Sequence, residues 1–271
     1  MDGEIGRVID AVDRLAPEDT WILFTSDHGE MMGAHGINSK GATVYEEMAN
    51  IPLMVRPPRG QLAQRAGARV RATSSHADVL PTLLDLAGAP IPDALEGGTL
   101  APLLRGEAGI DNPERSAFVV FHRYELPGDG QGGFTPMRAI VKGDRKLALH
   151  LLDTDELYDR AGDPHELHNR IDDQAHARQR DALHDELLDW MYRLRDPFRS
   201  PAWERRPWRD RASWRLTWQG GWSGERQGWE DGYAPSRLNY RTGLPLEDGS
   251  PAGVTAQPAT PPSGRPPGTP A

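Results

Sequence analysis

Trp21-Ile22-Leu23-Phe24-Thr25-Ser26-Asp27-His28-Gly29-Glu30 joins a continuous apolar run to a polar tip. A run without apolar–polar alternation suits a central parallel strand covered by helices on both faces. Ahead of it, residues 4–15 read as an amphipathic helix. Ile5, Val8, Ile9, Val12 and Leu15 recur at helical spacing, and Pro17 follows. Residues 42–49 read as a short helix and 51–56 as a second strand, with Pro52 near its start, where proline is tolerated. Val70 to Thr73 reads as a third strand. Ser75 opens a longer helix: Ser75 and Asp78 have capping-box spacing, Val79, Leu80, Leu83, Leu84 and Leu86 form its apolar face, and Gly88 supplies a stop. Strands alternating with helices predict an α/β fold over residues 1–112, with a mostly parallel sheet.

Beyond residue 112 the pattern changes. Ala117–His122, Met137–Lys142 and Lys146–Leu151 read as short strands separated by turns, with no long helix between them. That predicts an antiparallel sheet. A helix over about 175–194 follows, with Leu183, Leu187, Trp190, Met191 and Leu194 along one side. Residues 113–196 are thus expected to form a small α+β subdomain. Residues 197–240 are rich in Trp and read as an extended arm, clamped on the surface or serving as a platform for a sugar or partner. Residues 241–271 are Pro- and Gly-rich and are expected to be disordered.

Composition narrows the function. The 271-residue chain has a formal net charge of −9, with 40 acidic and 31 basic side chains. An acidic chain lacks the basic footprint of a nucleic-acid binder, despite the arginines between Arg205 and Arg215. It contains no cysteine, which removes disulfides and thiolate metal sites. No apolar run approaches the ~20 residues of a membrane-spanning helix. No signal peptide is visible, and the compartment, cytoplasmic or periplasmic, is left open.

The chemistry concentrates after residue 25. Asp27 and His28 follow a strand whose carboxyl end is where ligands gather in open α/β sheets. Carboxylate oxygen and imidazole nitrogen both ligate divalent metals. Gly29, Gly33 and Gly36 permit tight turns and close backbone approach, and Lys40 brings a cation for an anionic oxygen. Together these residue types fit a metal-assisted oxyanion site. Taken alone, the Asp–His pair also fits a turn-capping carboxylate beside a structural imidazole.

Read in order, the segments Ile5–Asp10, Phe24–Glu30, Gly33–Gly36, Lys40-Gly41, Tyr45–Glu47 and Ile51–Leu53 resemble the carboxy-terminal catalytic stretch of type I sulfatases, of the alkaline-phosphatase superfamily. Asp78–Gly88, Pro102–Gly106, Glu156–Asp159, Asp163-Pro164, Glu166 and Asn169 resemble later segments of that family, so the likeness covers about residues 3–195. It implies that residues 1–112 belong to the sulfatase α/β domain. It also implies that Asp27 and His28 are ligands of one divalent cation, Ca²⁺ in the first place and otherwise Mg²⁺ or Mn²⁺. Lys40 would contact the sulfate; Glu30 and His35 would support these groups from behind. The implied substrate is a sulfate ester on a small molecule or glycan. The family's nucleophile is a formylglycine made within Cys/Ser-x-Pro-x-Arg, and this chain has neither version of that motif. The expectation is therefore a sulfatase-like fragment without its nucleophile, inactive alone and matched by a complementary amino-terminal half. The same residues occur in phosphonate-monoester and phosphodiester hydrolases of the superfamily, and a non-catalytic binding module using the Trp-rich arm is a further reading.

Overall fold

The computed structural model describes residues 2–60, 67–107, 111–123, 134–194, 196 and 200–213. Helix α1 (Asp2–Leu15) leads into strand β1 (Ile22–Thr25), the single-turn α2 (Glu46–Ala49) and strand β2 (Leu53–Arg56). Helices α3 (Val79–Leu86) and α4 (Ala101–Arg105) complete this part. The capping box anticipated at Ser75 and Asp78 is formed, but it opens a 3-10 turn at His76–Asp78 that continues into α3.

Three local expectations need correction. First, β1 and β2 pair with each other antiparallel, Ile22 opposite Arg56 and Thr25 opposite Leu53, rather than as parallel neighbours. Parallel neighbours need a crossover, usually a long helix. Here the connection carries only a 3-10 turn at Ala34–Gly36 and the four-residue α2, and the chain returns alongside β1. Second, the helix foreseen at 42–49 begins only at Glu46, because Val44 is drawn into the core and its carbonyl is taken by Lys146. Third, 70–73 form no strand. The Arg71 and Ala72 amides both donate to Asp111 Oδ1 at 2.8 Å, and the Thr73 carbonyl accepts from Arg115, so side chains satisfy what a ladder would.

The second part is an antiparallel meander of β3 (Ser116–Arg123), β4 (Phe134–Lys142), β5 (Arg145–His150) and β6 (Glu156–Asp159). Alternation along these strands gives the sheet two working faces. Ile140, Leu147 and Leu149 face helix α5 (Ala177–Arg193), where Leu183, Leu187 and Met191 close a fully buried core. Met137, Ala139 and Ala148 face the other way and pack around Val44, in the segment that precedes α2. That second contact ties the subdomain to the loops after β1.

The Trp-rich stretch enters this core rather than lying on it as far as it is described. Trp203, in the short helix α6 (Pro201–Glu204), is wholly buried. Trp208 donates its indole N–H to Asp155 at 2.7 Å and lies under the Arg180 guanidinium. Trp214, Trp218, Trp222 and Trp229, and the tail 241–271 expected to be disordered, lie outside the described residues.

Candidate active site

β1 ends at Thr25, and the next residues turn sharply. Ser26 Oγ donates to the His28 carbonyl at 2.8 Å, and the His28 amide donates to Asp27 Oδ1 at 3.0 Å. This tight local arrangement leaves Asp27 projecting into solvent, its side chain 85% exposed. The second carboxylate oxygen, Oδ2, lies 3.6 Å from His28 Nε2. His28 Nδ1 lies 2.7 Å from the Gly29 carbonyl, so Nδ1 carries the hydrogen and Nε2 keeps an outward lone pair. Lys40 Nζ approaches that same Nε2 at 3.5 Å. The structure therefore brings carboxylate, imidazole and ammonium to one point at the strand tip. The hydrogen bond from the His28 amide holds the Asp27 carboxyl below the usual carboxylate range.

The turn is gripped from behind by α2. The Gly29 amide donates to the Met48 carbonyl at 2.9 Å and the Glu30 amide to the Glu47 carbonyl at 3.0 Å. The approach is so close that a Cβ on residue 29 would fall 1.8 Å from the Glu47 oxygen. Only glycine fits there. Gly33, at φ +97°, uses the left-handed backbone that the following 3-10 turn demands.

Glu30 and His35 stand apart from the convergent three. The Glu30 side chain is exposed, and what anchors that residue is its backbone amide. His35 sits at φ +51°, unusual for a residue with a side chain. Its ring stacks on Tyr45 at 3.7 Å between centroids, with Nε2 4.0 Å from Glu47 Oε2. Its contacts shape the wall of the loop. One neighbour gives no sign in the sequence: His76 Nε2 lies 2.8 Å from the Ser26 carbonyl, fifty residues away in the chain.

A Ca²⁺-sized ion binds oxygen at about 2.4 Å, so two donors roughly 90–100° apart around it lie about 3.4–3.7 Å from each other. The Oδ2–Nε2 spacing of 3.6 Å fits that requirement. Among the described residues, no cluster of three or more His, Asp or Glu side chains surrounds a common point.

Comparisons with known proteins agree on the lineage. Residues 33–193 match the family described as N-sulphoglucosamine sulphohydrolase, C-terminal. The chain is 45% identical over 247 residues to the uncharacterized sulfatase YidJ of Escherichia coli K12, covering 91% of this chain and 46% of that protein. A protein solved in complex with its substrate D-glucosamine-2-N,6-O-disulfate superposes with a TM-score of 0.61 at 30% identity, over 73% of this chain and 39% of that one. The phosphonate monoester hydrolase of Agrobacterium radiobacter superposes with a TM-score of 0.60 at 32% identity, over 70% and 38%. The chain thus spans less than half the length of each of these relatives. With a family match across more than half of its residues, the chain belongs to the sulfatase family and corresponds to its carboxy-terminal portion.

Proposed function

We propose that this chain supplies one wall of the active site of a sulfuric ester hydrolase. Asp27 and His28 are two ligands of a divalent cation, Ca²⁺ first and Mg²⁺ or Mn²⁺ otherwise. Lys40 faces the ester anion. The observation that carries this reading is the meeting of Asp27 Oδ2, His28 Nε2 and Lys40 Nζ within 3.6 Å of the imidazole nitrogen. The bound cation would polarise a sulfuryl oxygen. The residues do the rest. The Gly29 carbonyl keeps His28 Nδ1 protonated, which holds the Nε2 lone pair toward the site. Lys40 Nζ, 3.5 Å from that nitrogen, would turn to the developing negative charge on the ester oxygen once the lone pair is committed to a metal. The likeness to the disulfated glucosamine complex supports a sulfate ester on a small molecule or glycan as substrate. A complementary amino-terminal part would contribute the nucleophile and the remaining ligands, since two donors fall short of the six to eight that Ca²⁺ takes.

The phosphonate monoester hydrolase likeness favours one second reading, a phosphorus ester in the same site. The decisive experiment uses the protein complete with an amino-terminal half. An aryl sulfate and a phenyl phosphonate monoester are compared before and after Lys40→Ala. A sulfatase shows higher kcat/KM for the sulfate and loses about 10²–10³-fold of it with Lys40→Ala. Turnover indifferent to both Asp27→Asn and Lys40→Ala sinks the assignment.

A further inference from the structure

We propose that Lys146 and Glu166, in the small subdomain, are positioning residues for the cation-binding turn and act on it through α2. Lys146 is 1% exposed, as is Glu166, and their charged groups lie 2.5 Å apart. Lys146 Nζ also donates to the Val44 carbonyl at 2.5 Å and lies 3.1 Å from Glu46 Oε1. Glu166 Oε2 accepts the Glu46 amide at 2.8 Å, and Glu166 itself is held at φ +53°. Arg160 completes the set against Glu46 at 2.6 Å, so two cations meet two carboxylates.

Two side chains from more than a hundred residues downstream therefore grip the backbone on either side of Tyr45, at the first turn of α2. That same turn presents the Glu47 and Met48 carbonyls to the Glu30 and Gly29 amides. Gly29 in turn offers its carbonyl to His28 Nδ1. The path runs by contacts at every step, from a buried ion cluster to the ring that offers Nε2. A buried charge cluster is a poor device for stability alone, because desolvation offsets much of the attraction. It does fix geometry, and what it fixes here is α2.

The inference rests on the reading of Asp27 and His28 as cation donors, and the test separates the two. Lys146→Met with Glu166→Gln removes one charge of each sign and leaves Glu46 paired with Arg160. The control is Arg138→Met with Asp196→Asn, a buried pair on the opposite face of the sheet, beneath Trp203. Hydrogen exchange of residues 26–31, read by mass spectrometry, is measured on the 271-residue chain, and Mn²⁺ binding, read by EPR, on the protein complete with an amino-terminal half. We expect the first variant to speed exchange of 26–31 and weaken Mn²⁺ binding, each by about tenfold or more, with 137–149 still protected. The control should lower the melting temperature and leave both readouts in place. Unchanged exchange of 26–31, or an equal rise in the control, overturns the proposal. If wild-type Mn²⁺ binding is absent or insensitive to Asp27→Asn, the cation reading fails, and the exchange measurement still decides whether the cluster holds the turn.

Discussion

The Cβ that alanine would place at residue 29 would sit 1.8 Å from the Glu47 carbonyl oxygen. The turn or α2 must then retreat, and the two amide–carbonyl bonds at Gly29 and Glu30 go with it. Gly29→Ala should cost about 2–4 kcal/mol in urea unfolding, the combined size of a steric clash and two lost hydrogen bonds. It should also remove Mn²⁺ binding, whereas Gly3→Ala, on open helix surface, should change neither. A second residue is informative through pH. His184 donates Nε2–H to the Trp203 carbonyl at 2.7 Å, and burial, reinforced by the arginines around it, pushes its pKa down to about 3. The unfolded imidazole takes its proton near pH 6.5. Between those two values the unfolded state binds more protons, so stability falls as pH drops through the window and is level above it. Against His184→Gln as reference, wild type should lose about 1.4 kcal/mol per pH unit from about pH 6 downward, a slope that denaturant titrations at several pH values read directly. Residue chemistry marks Asp27, His28 and Lys40 as candidates in the sequence, and the structure brings them together, because donor types at a strand tip mean something locally. The buried contacts of Lys146, Glu166 and His184 were not legible, even though Glu166 falls in a stretch that resembles the family, because a buried ion or ring is explained by a partner that only folding brings near.

Helix α3 shows what one side chain can do for an element. Asp78, 2% exposed, accepts the Ser75 and Gly98 amides at 2.8 and 2.9 Å and a two-point contact from Arg115 at 2.6 and 2.9 Å. Burial works against its carboxylate, but these donors win, and its pKa lies below the ordinary value. Asp78→Ala strands the Arg115 guanidinium and the cap of the helix together. We expect a loss of about 3–5 kcal/mol and exchange of α3 amides before those of α5, measured by hydrogen exchange. Periodicity and cap spacing identified α3, α5 and the first three strands of the meander because those signals are local; β6 carries too short an apolar pattern to stand out. They could not identify the direction of β2. The run Trp21–Thr25 reads as buried whichever way its neighbour points, and pairing direction is set by the 26–52 connection. Val70–Thr73 was misread for a related reason: β-type residues there have their backbone groups claimed by Asp111 and Arg115.

At the scale of the whole molecule the two parts are finished to different degrees. The subdomain encloses Leu147, Leu187 and Trp203 completely. By contrast, no residue of α1 is buried, with Val8 64% and Leu15 84% exposed, and Met54, Leu80 and Leu83 are exposed on β2 and α3. All four residues of β1 remain only partly covered, although their apolar run reads as doubly buried. Among the described residues the two-stranded sheet has no further strand on either edge, and with an apolar helix face it is a surface that finds a partner. In a longer sulfatase the rest of the α/β domain would supply it. For the 271-residue chain alone, the available partner is another copy. Sedimentation velocity should therefore show concentration-dependent self-association that salt does not disperse, since the contact is apolar. Val8→Glu with Leu15→Glu should shift the distribution toward monomer while the α5 and β5 amides keep their protection from exchange. A sharply monomeric wild-type chain with protected α1 amides would mean that these faces are covered from within, and the half-built reading of residues 1–112 would then be wrong.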